Sequence, residues 1–131
     1  MKNTVAGRLG LLVLLAAVAA LGQTPAAHIV NIAYEFTAGG KVLAAGRYRI
    51  SATAEPMPLV KIEGMTNSSL VQVRTITTLA PGDTPSDNLR LVFDKVGEHR
   101  FLSEVWFPKS DGLLIHGTAQ QHKHDVLKSA Q

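Results

Sequence analysis

Three histidines near the C terminus have the clearest capacity for chemistry in this 131-residue chain. His116, His122 and His124 are followed by Asp125, and imidazoles with a carboxylate suit Zn²⁺, Cu²⁺ or Ni²⁺. His122 and His124 are two positions apart, so both would face one side of an extended strand. A metal site normally needs three or four ligands, so His116 would have to fold back. A polar tail with scattered histidines is the simpler interpretation, and we expect no cofactor.

The remaining residues do not assemble into a catalytic motif. A serine hydrolase needs a serine, a histidine and an acid, commonly on a sharp nucleophile turn. The G-x-S-x-G pattern of that turn is absent. Ser103 and Glu104 are neighbours on a predicted strand, where adjacent side chains point to opposite faces. The sequence therefore predicts a protein that is not an enzyme.

Glu104 and Trp106 share one face of the same predicted strand, and a platform for a sugar is one interpretation of that placement. A glycosidase would need a second carboxylate at the right distance, and Glu63 and Asp94 are the candidates. The favoured interpretation is that Glu104 is a solvated strand residue that pairs with Arg90 or Arg100 across the hairpin, since opposite charges often pair between strands.

The aromatic residues have two interpretations. Most occupy alternate positions along their predicted strands and therefore share one face, which indicates either an ordinary core or an apolar ligand cavity inside a barrel. Small barrels are normally filled by their own side chains, so a packed core is favoured. If a ligand site exists, its candidate residues are Tyr34, Tyr48, Glu104 and Trp106. The seven aromatic residues are Tyr34, Phe36, Tyr48, Phe93, Phe101, Trp106 and Phe107.

Alternation of apolar and polar residues places these side chains on β-strands. Residues 30–36 and the β-branched run 69–79 each predict one strand, and residues 89–94 and 100–107 predict a hairpin. Gly46 interrupts a strand-like stretch and predicts a bulge or a positive φ. Roughly seven or eight short strands indicate an all-β domain, a small antiparallel sandwich or partly open barrel.

The N terminus resembles an export signal. Lys2 and Arg8 precede an apolar run of 13 residues, 9–21, and a small-x-small cleavage site ends at Gly22. The run is shorter than the roughly 20 residues of a spanning helix. We therefore predict a signal peptide over residues 1–22, a mature chain from Gln23, no stable membrane span afterwards, and a periplasmic or extracellular location.

Composition restricts the mature chain further. Residues 23–131 fit one domain, with a polar tail from about residue 119 that we expect to be dispensable for folding. Cysteine is absent, so packing and hydrogen bonds must supply the stability. Lys2 and Arg8 leave with the signal, so 13 Lys and Arg become 11 against 10 Asp and Glu. These charges are interspersed along the chain, and we expect no nucleic-acid partner.

Two stretches resemble a group of small exported bacterial all-β proteins of unknown function, which are abundant in soil bacteria. The first is I-x-Y-x-F-x-A-G from Ile32, continued by A-G-x-Y-x-I from Ala45. The second is F-L-S-E-V-W from Phe101. Relatives usually carry proline where this chain has Ala33 and Ala44. The resemblance implies an exported all-β domain and no particular reaction.

These observations together predict an exported, non-catalytic binding or envelope-associated module with an envelope or extracellular partner. Two alternatives remain. One is a carrier or sensor of an apolar small molecule in a barrel cavity. The other is a metal-binding protein that uses His116, His122 and His124.

Overall fold

A computed structural model describes residues 27–82 and 87–129. These residues form eleven β-strands in two sheets and no helix, which confirms the all-β prediction. The sheets do not close into a barrel, so the sandwich is the architecture that forms. No apolar helix long enough to cross a membrane occurs in this part of the chain. The predicted signal peptide, residues 1–22, lies outside the described residues.

The first sheet is an open antiparallel sheet of four strands in the order β1-β4-β5-β6. Buried residues alternate with exposed or half-buried ones along each strand, because one face lies on the core and the other faces solvent. Its strands are β1 (His28–Ile32), β4 (Gly46–Ala52), β5 (Leu59–Gly64) and β6 (Leu70–Arg74).

The second sheet follows the order β11-β8-β9-β10-β7, and the hairpin β2–β3 joins it through one parallel contact of Thr37 with Phe101. All other strand pairs are antiparallel. Its strands are β2 (Phe36–Ala38), β3 (Lys41–Leu43), β7 (Thr77–Leu79), β8 (Arg90–Val96), β9 (His99–Trp106), β10 (Gly112–Leu114) and β11 (Lys123–Lys128).

The core between the sheets is filled by aromatic and branched side chains. Phe36, Tyr48 and Phe93 are essentially inaccessible to solvent. Phe36 makes edge-to-face contacts with both other rings, at centroid distances of 5.3 Å to Tyr48 and 5.6 Å to Phe93. Such contacts fix the relative position of rings that come from different strands. Packed aromatic side chains therefore occupy the space where a barrel-type carrier would hold its ligand.

The structure has eleven strands where seven or eight were expected, because two predicted strands are each divided and a further strand, β11, forms in the predicted tail. Residues 30–36 break between β1 and β2, and residues 69–79 break between β6 and β7. At the second break the chain crosses between sheets. The amide of Thr75 donates a hydrogen bond to the carbonyl of Pro58, which immediately precedes β5 of the first sheet. The amide of Ile76 donates one to the carbonyl of Leu114, in β10 of the second sheet. The sequence does not reveal this crossing, because the chain is extended on both sides of the break, in β6 and in β7.

The prediction of a bulge or positive φ at Gly46 is wrong. Gly46 opens β4 in regular pairing with Ile32, and its φ is not positive. Gly39 does have a positive φ, 58°, and lies in the β2–β3 turn. A Cβ on Gly39 would lie 2.9 Å from Cγ2 of Val73. The bulge lies in β9 instead, where Ser103 is the extra residue opposite the Val92–Phe93 step.

The polar tail from about residue 119, which we expected to be dispensable for folding, contains a strand of the second sheet. Residues Lys123–Lys128 form β11, which pairs along β8. Asp125 and Leu127 are half-buried, whereas His124, Val126 and Lys128 are exposed. This alternation of period two is masked in the sequence by charged residues, which are common on edge strands. Leu127 packs against the core cluster.

Candidate functional site

The outer face of the second sheet brings together most of the candidate residues. Paired residues of antiparallel strands share a face, and Asp94 pairs with His124 on one side and with Phe101 on the other. Phe93, the neighbour of Asp94, points into the core. Asp94 therefore points away from the core, yet only 3% of its side chain is exposed.

Two histidines cover the carboxylate of Asp94. Nδ1 of His124 lies 3.0 Å from Oδ1 of Asp94, and Nε2 of His122 lies 3.7 Å from the same oxygen. The two imidazoles meet edge to face, with centroids 4.9 Å apart. Nδ1 of His122 also lies 2.7 Å from the carbonyl oxygen of Gln120. One acid and two imidazoles thus form a compact cluster at the β8–β11 edge.

His116 contributes elsewhere on the same face. Its ring stacks on Phe101 at 4.9 Å, with the planes 9° apart. Its carbonyl oxygen accepts a hydrogen bond of 2.7 Å from the hydroxyl of Ser103. The structure therefore brings together His122 and His124 of the three predicted ligands, and the third group beside them is Asp94. The strand pairing places Asp94 there, and the 27 residues between Asp94 and His122 hide that proximity in the sequence.

Glu104 and Trp106 do lie on one face, but they bind each other. The indole Nε1 of Trp106 donates a hydrogen bond of 2.8 Å to Oε1 of Glu104. The Arg90 guanidinium carbon lies 4.7 Å from the centroid of the Trp106 ring. The ring also lies close to Gly112, where an added Cβ would approach it to 2.5 Å. Packing of this kind fixes the orientation of the indole.

Tyr34 and Tyr48 contribute to the core and not to an open ligand site. Tyr48 is fully buried, and its hydroxyl donates a hydrogen bond of 2.6 Å to the carbonyl of Ala44. Tyr34 packs edge to face on Phe93 at 5.3 Å, and the guanidinium carbon of Arg100 lies 4.0 Å from its ring centroid. Burial raises the pKa of the Tyr34 phenol; Arg100 lowers it in part and Asp125 raises it further.

The outer face of the first sheet carries a cluster of positive charge. Arg47 and Arg49 alternate along β4 with core residues, and strand pairing places Lys61 and Arg74 on the same side. The one acidic residue at the paired positions of this face is Glu63, 3.4 Å from Nη1 of Arg49. We call these four cations, Arg47, Arg49, Lys61 and Arg74, the basic face.

No family model, curated protein or solved structure matches the chain. Its function is therefore inferred from its own geometry.

The two outer faces differ in charge. The basic face has four cations against one carboxylate, a net charge of +3. The paired positions of the opposite outer face hold Arg90 and Lys128 against Asp94 and Glu104, a net charge of zero with neutral histidines. Charges that are interspersed along the chain are thus segregated in space. The alternation of Arg47 and Arg49 with apolar residues predicts that both side chains point outward. The strand order that places Lys61 and Arg74 on the same face is not visible in the sequence.

Proposed function

We propose that the protein is an exported, non-catalytic binding module that associates with an anionic lipid surface of the cell envelope. The observation that carries this proposal is the basic face on the first sheet. In the part of the chain that the structure describes, Glu63 is the one carboxylate in ion-pair contact with any of its four cations. The other three cations, Arg47, Lys61 and Arg74, are available to lipid phosphates.

The expected strength of this attraction follows from the number of cations. Each Lys or Arg near an anionic membrane surface contributes about 1 kcal/mol of binding free energy, and the contribution falls off within a Debye length. Because all four cations of the basic face lie on one side of the sheet, they can approach one membrane surface together. Ile29 and Leu70 are 43% and 49% exposed at the two ends of the cross-strand row through Arg49 and Glu63. They add apolar contact area at the rim.

Two further observations support a non-catalytic role. The hydroxyl of Ser103 donates to a backbone carbonyl, and Glu104 accepts a hydrogen bond from the Trp106 indole. Neither side chain is placed as a nucleophile beside a general base. This supports a binding function for the domain over hydrolysis.

Export rests on the sequence of residues 1–22. We expect the signal to be removed, because a positive start, an apolar run and a small-x-small site stand in the order that signal peptidases require. Mass spectrometry of the protein recovered outside the cytoplasm should find Gln23 at the N terminus. A protein that remains in the cytoplasm with Met1 in place would contradict the envelope location.

Binding to vesicles tests the proposed surface. The untagged protein should sediment with vesicles of phosphatidylglycerol and phosphatidylcholine, and not with phosphatidylcholine alone. Arg47→Gln with Arg74→Gln should weaken binding about 30-fold, since two cations at about 1 kcal/mol each are lost. The fraction bound should also fall as salt increases, because salt screens exposed charges.

A charge-matched variant serves as the control. Lys109→Gln with Lys128→Gln removes the same net charge from exposed positions outside the basic face, and it should weaken binding by less than about threefold. Equal losses in the two double variants would contradict a specific face. If the protein bound a nucleic-acid duplex and did not bind anionic vesicles, its partner would be a nucleic acid and the proposal would be wrong.

A further inference from the structure

The carboxylate of Asp94 is unusual because it is buried on the outside of the sandwich. Its side chain is 3% exposed, although it belongs to the outer face of β8. Burying an ionised carboxylate is costly unless opposite charge or hydrogen-bond donors surround it. In the described residues, the groups within ion-pair distance of Asp94 are His122 and His124. The partners of Asp94 are therefore two groups that also bind metals.

The hydrogen bond of His122 determines which nitrogen faces the acid. The carbonyl oxygen of Gln120 can only accept, so Nδ1 of His122, 2.7 Å away, must carry the hydrogen. In the neutral ring, Nε2 then presents a lone pair to Oδ1 of Asp94 at 3.7 Å. The lone pairs on Nε2 of His122 and on Oδ1 of Asp94 repel each other, so a cation bound between these two atoms is favoured. A backbone carbonyl that accepts from the far nitrogen is also the usual way in which a metal-binding histidine is oriented.

From this geometry we infer that Asp94, His122 and His124 bind a divalent transition-metal ion. One donor atom from each residue lies within 4.8 Å of the other two. Metal–nitrogen bonds of about 2.0–2.1 Å in a tetrahedral site separate the ligands by roughly 3.3 Å. The 3.0 Å between Nδ1 of His124 and Oδ1 of Asp94 is already close to that spacing.

The ligand set indicates which ions the site prefers. Two imidazoles with one carboxylate suit Zn²⁺, Cu²⁺ and Ni²⁺, whereas Mg²⁺ and Ca²⁺ prefer all-oxygen sites. His124 is exposed at the edge of the sheet, so a water molecule can supply a fourth ligand. Three protein ligands and one water complete a tetrahedral zinc site.

A bound ion would link the last strand to the sheet. Asp94 lies in β8, His124 lies in β11, and His122 immediately precedes β11. The ion would therefore hold the C-terminal edge strand in place. An ion that binds the folded chain alone stabilises it by mass action.

Thermal unfolding of the untagged full chain at pH 7.5 tests this inference. At a free Zn²⁺ concentration about 100 times the Kd, the Tm should rise by roughly 10–20 °C, and EDTA should reverse the rise. Mg²⁺ should give no rise. His122→Ala, His124→Ala and Asp94→Asn should each abolish most of the shift. His99→Ala, which removes an exposed histidine outside the cluster, should retain it.

Isothermal titration with Zn²⁺ separates loss of the site from loss of the fold. His122 lies outside the strands, so His122→Ala should keep the far-ultraviolet circular dichroism of the natural chain while Zn²⁺ binding weakens about 100-fold or more, since one of three protein ligands is lost. Absence of Zn²⁺, Cu²⁺ and Ni²⁺ binding in the natural chain would overturn the inference. So would a Zn²⁺ effect that survives in both histidine variants.

Discussion

Phe93→Ala should lower the free energy of unfolding by about 3–5 kcal/mol, the usual cost of emptying a buried phenylalanine site. Phe93 is fully buried and contacts Tyr34 and Phe36 edge to face, at 5.3 and 5.6 Å. These rings come from the β1–β2 connection and from β2, so the substitution weakens the packing between separate segments. Urea unfolding followed by circular dichroism measures the loss.

Phe93→Leu provides the matched comparison, because leucine keeps most of the buried apolar volume. It should cost less than about 2 kcal/mol, and it keeps the prediction testable if the alanine variant does not fold. A loss below about 1 kcal/mol for a folded Phe93→Ala protein would show that the ring does not fill the core.

Removing the chain after Thr118 should lower the Tm by at least about 10 °C. The deletion removes β11, which pairs with β8 along six residues, and it removes the ion pair of Arg100 with Asp125 at 3.0 Å. A loss of about 2 kcal/mol or more converts to that shift at roughly 4–8 °C per kcal/mol. Deletion also exposes the edge of β8, and an unprotected edge promotes association between molecules.

Two neighbouring residues of β11 isolate the contribution of packing. Leu127 contacts the core, whereas Val126 points outward and is 54% exposed. Leu127→Ala should cost about 1–3 kcal/mol, and Val126→Ala should cost less than about 0.5 kcal/mol. A truncated protein that melts within a few degrees of the full chain, with equal effects of the two alanine variants, would show that β11 is dispensable.

The sequence predicted those elements whose signal is local. The β8–β9 hairpin and the burial of Tyr48 and Phe93 in a packed aromatic core follow from the alternation of apolar and polar residues. Features that depend on strand order could not be predicted. The break at Thr75 is one of them, because a β-branched run favours an extended chain in either sheet.

The candidate sites likewise combine features that are local in the sequence with features that depend on strand order. The pairing of His122 with His124 follows from a spacing of two, and it appears as an edge-to-face contact. Asp94 and the basic face arise from pairing between strands distant in the chain, as in the register of Asp94 with His124. A charged residue that alternates with core residues can be predicted to face outward. Which residues lie beside it depends on strand pairing, which the sequence does not show.

Nuclear magnetic resonance of the ¹⁵N-labelled protein, titrated with phosphatidylglycerol nanodiscs, should show that the protein binds an anionic lipid surface through the basic face. Amide signals of Arg47, Arg49, Lys61 and Arg74 should shift and broaden, and those around Trp106 on the opposite face should not. Phosphatidylcholine nanodiscs should leave both sets unchanged. Perturbation centred on the Trp106 face, or none on the basic face with anionic lipid, would contradict the account.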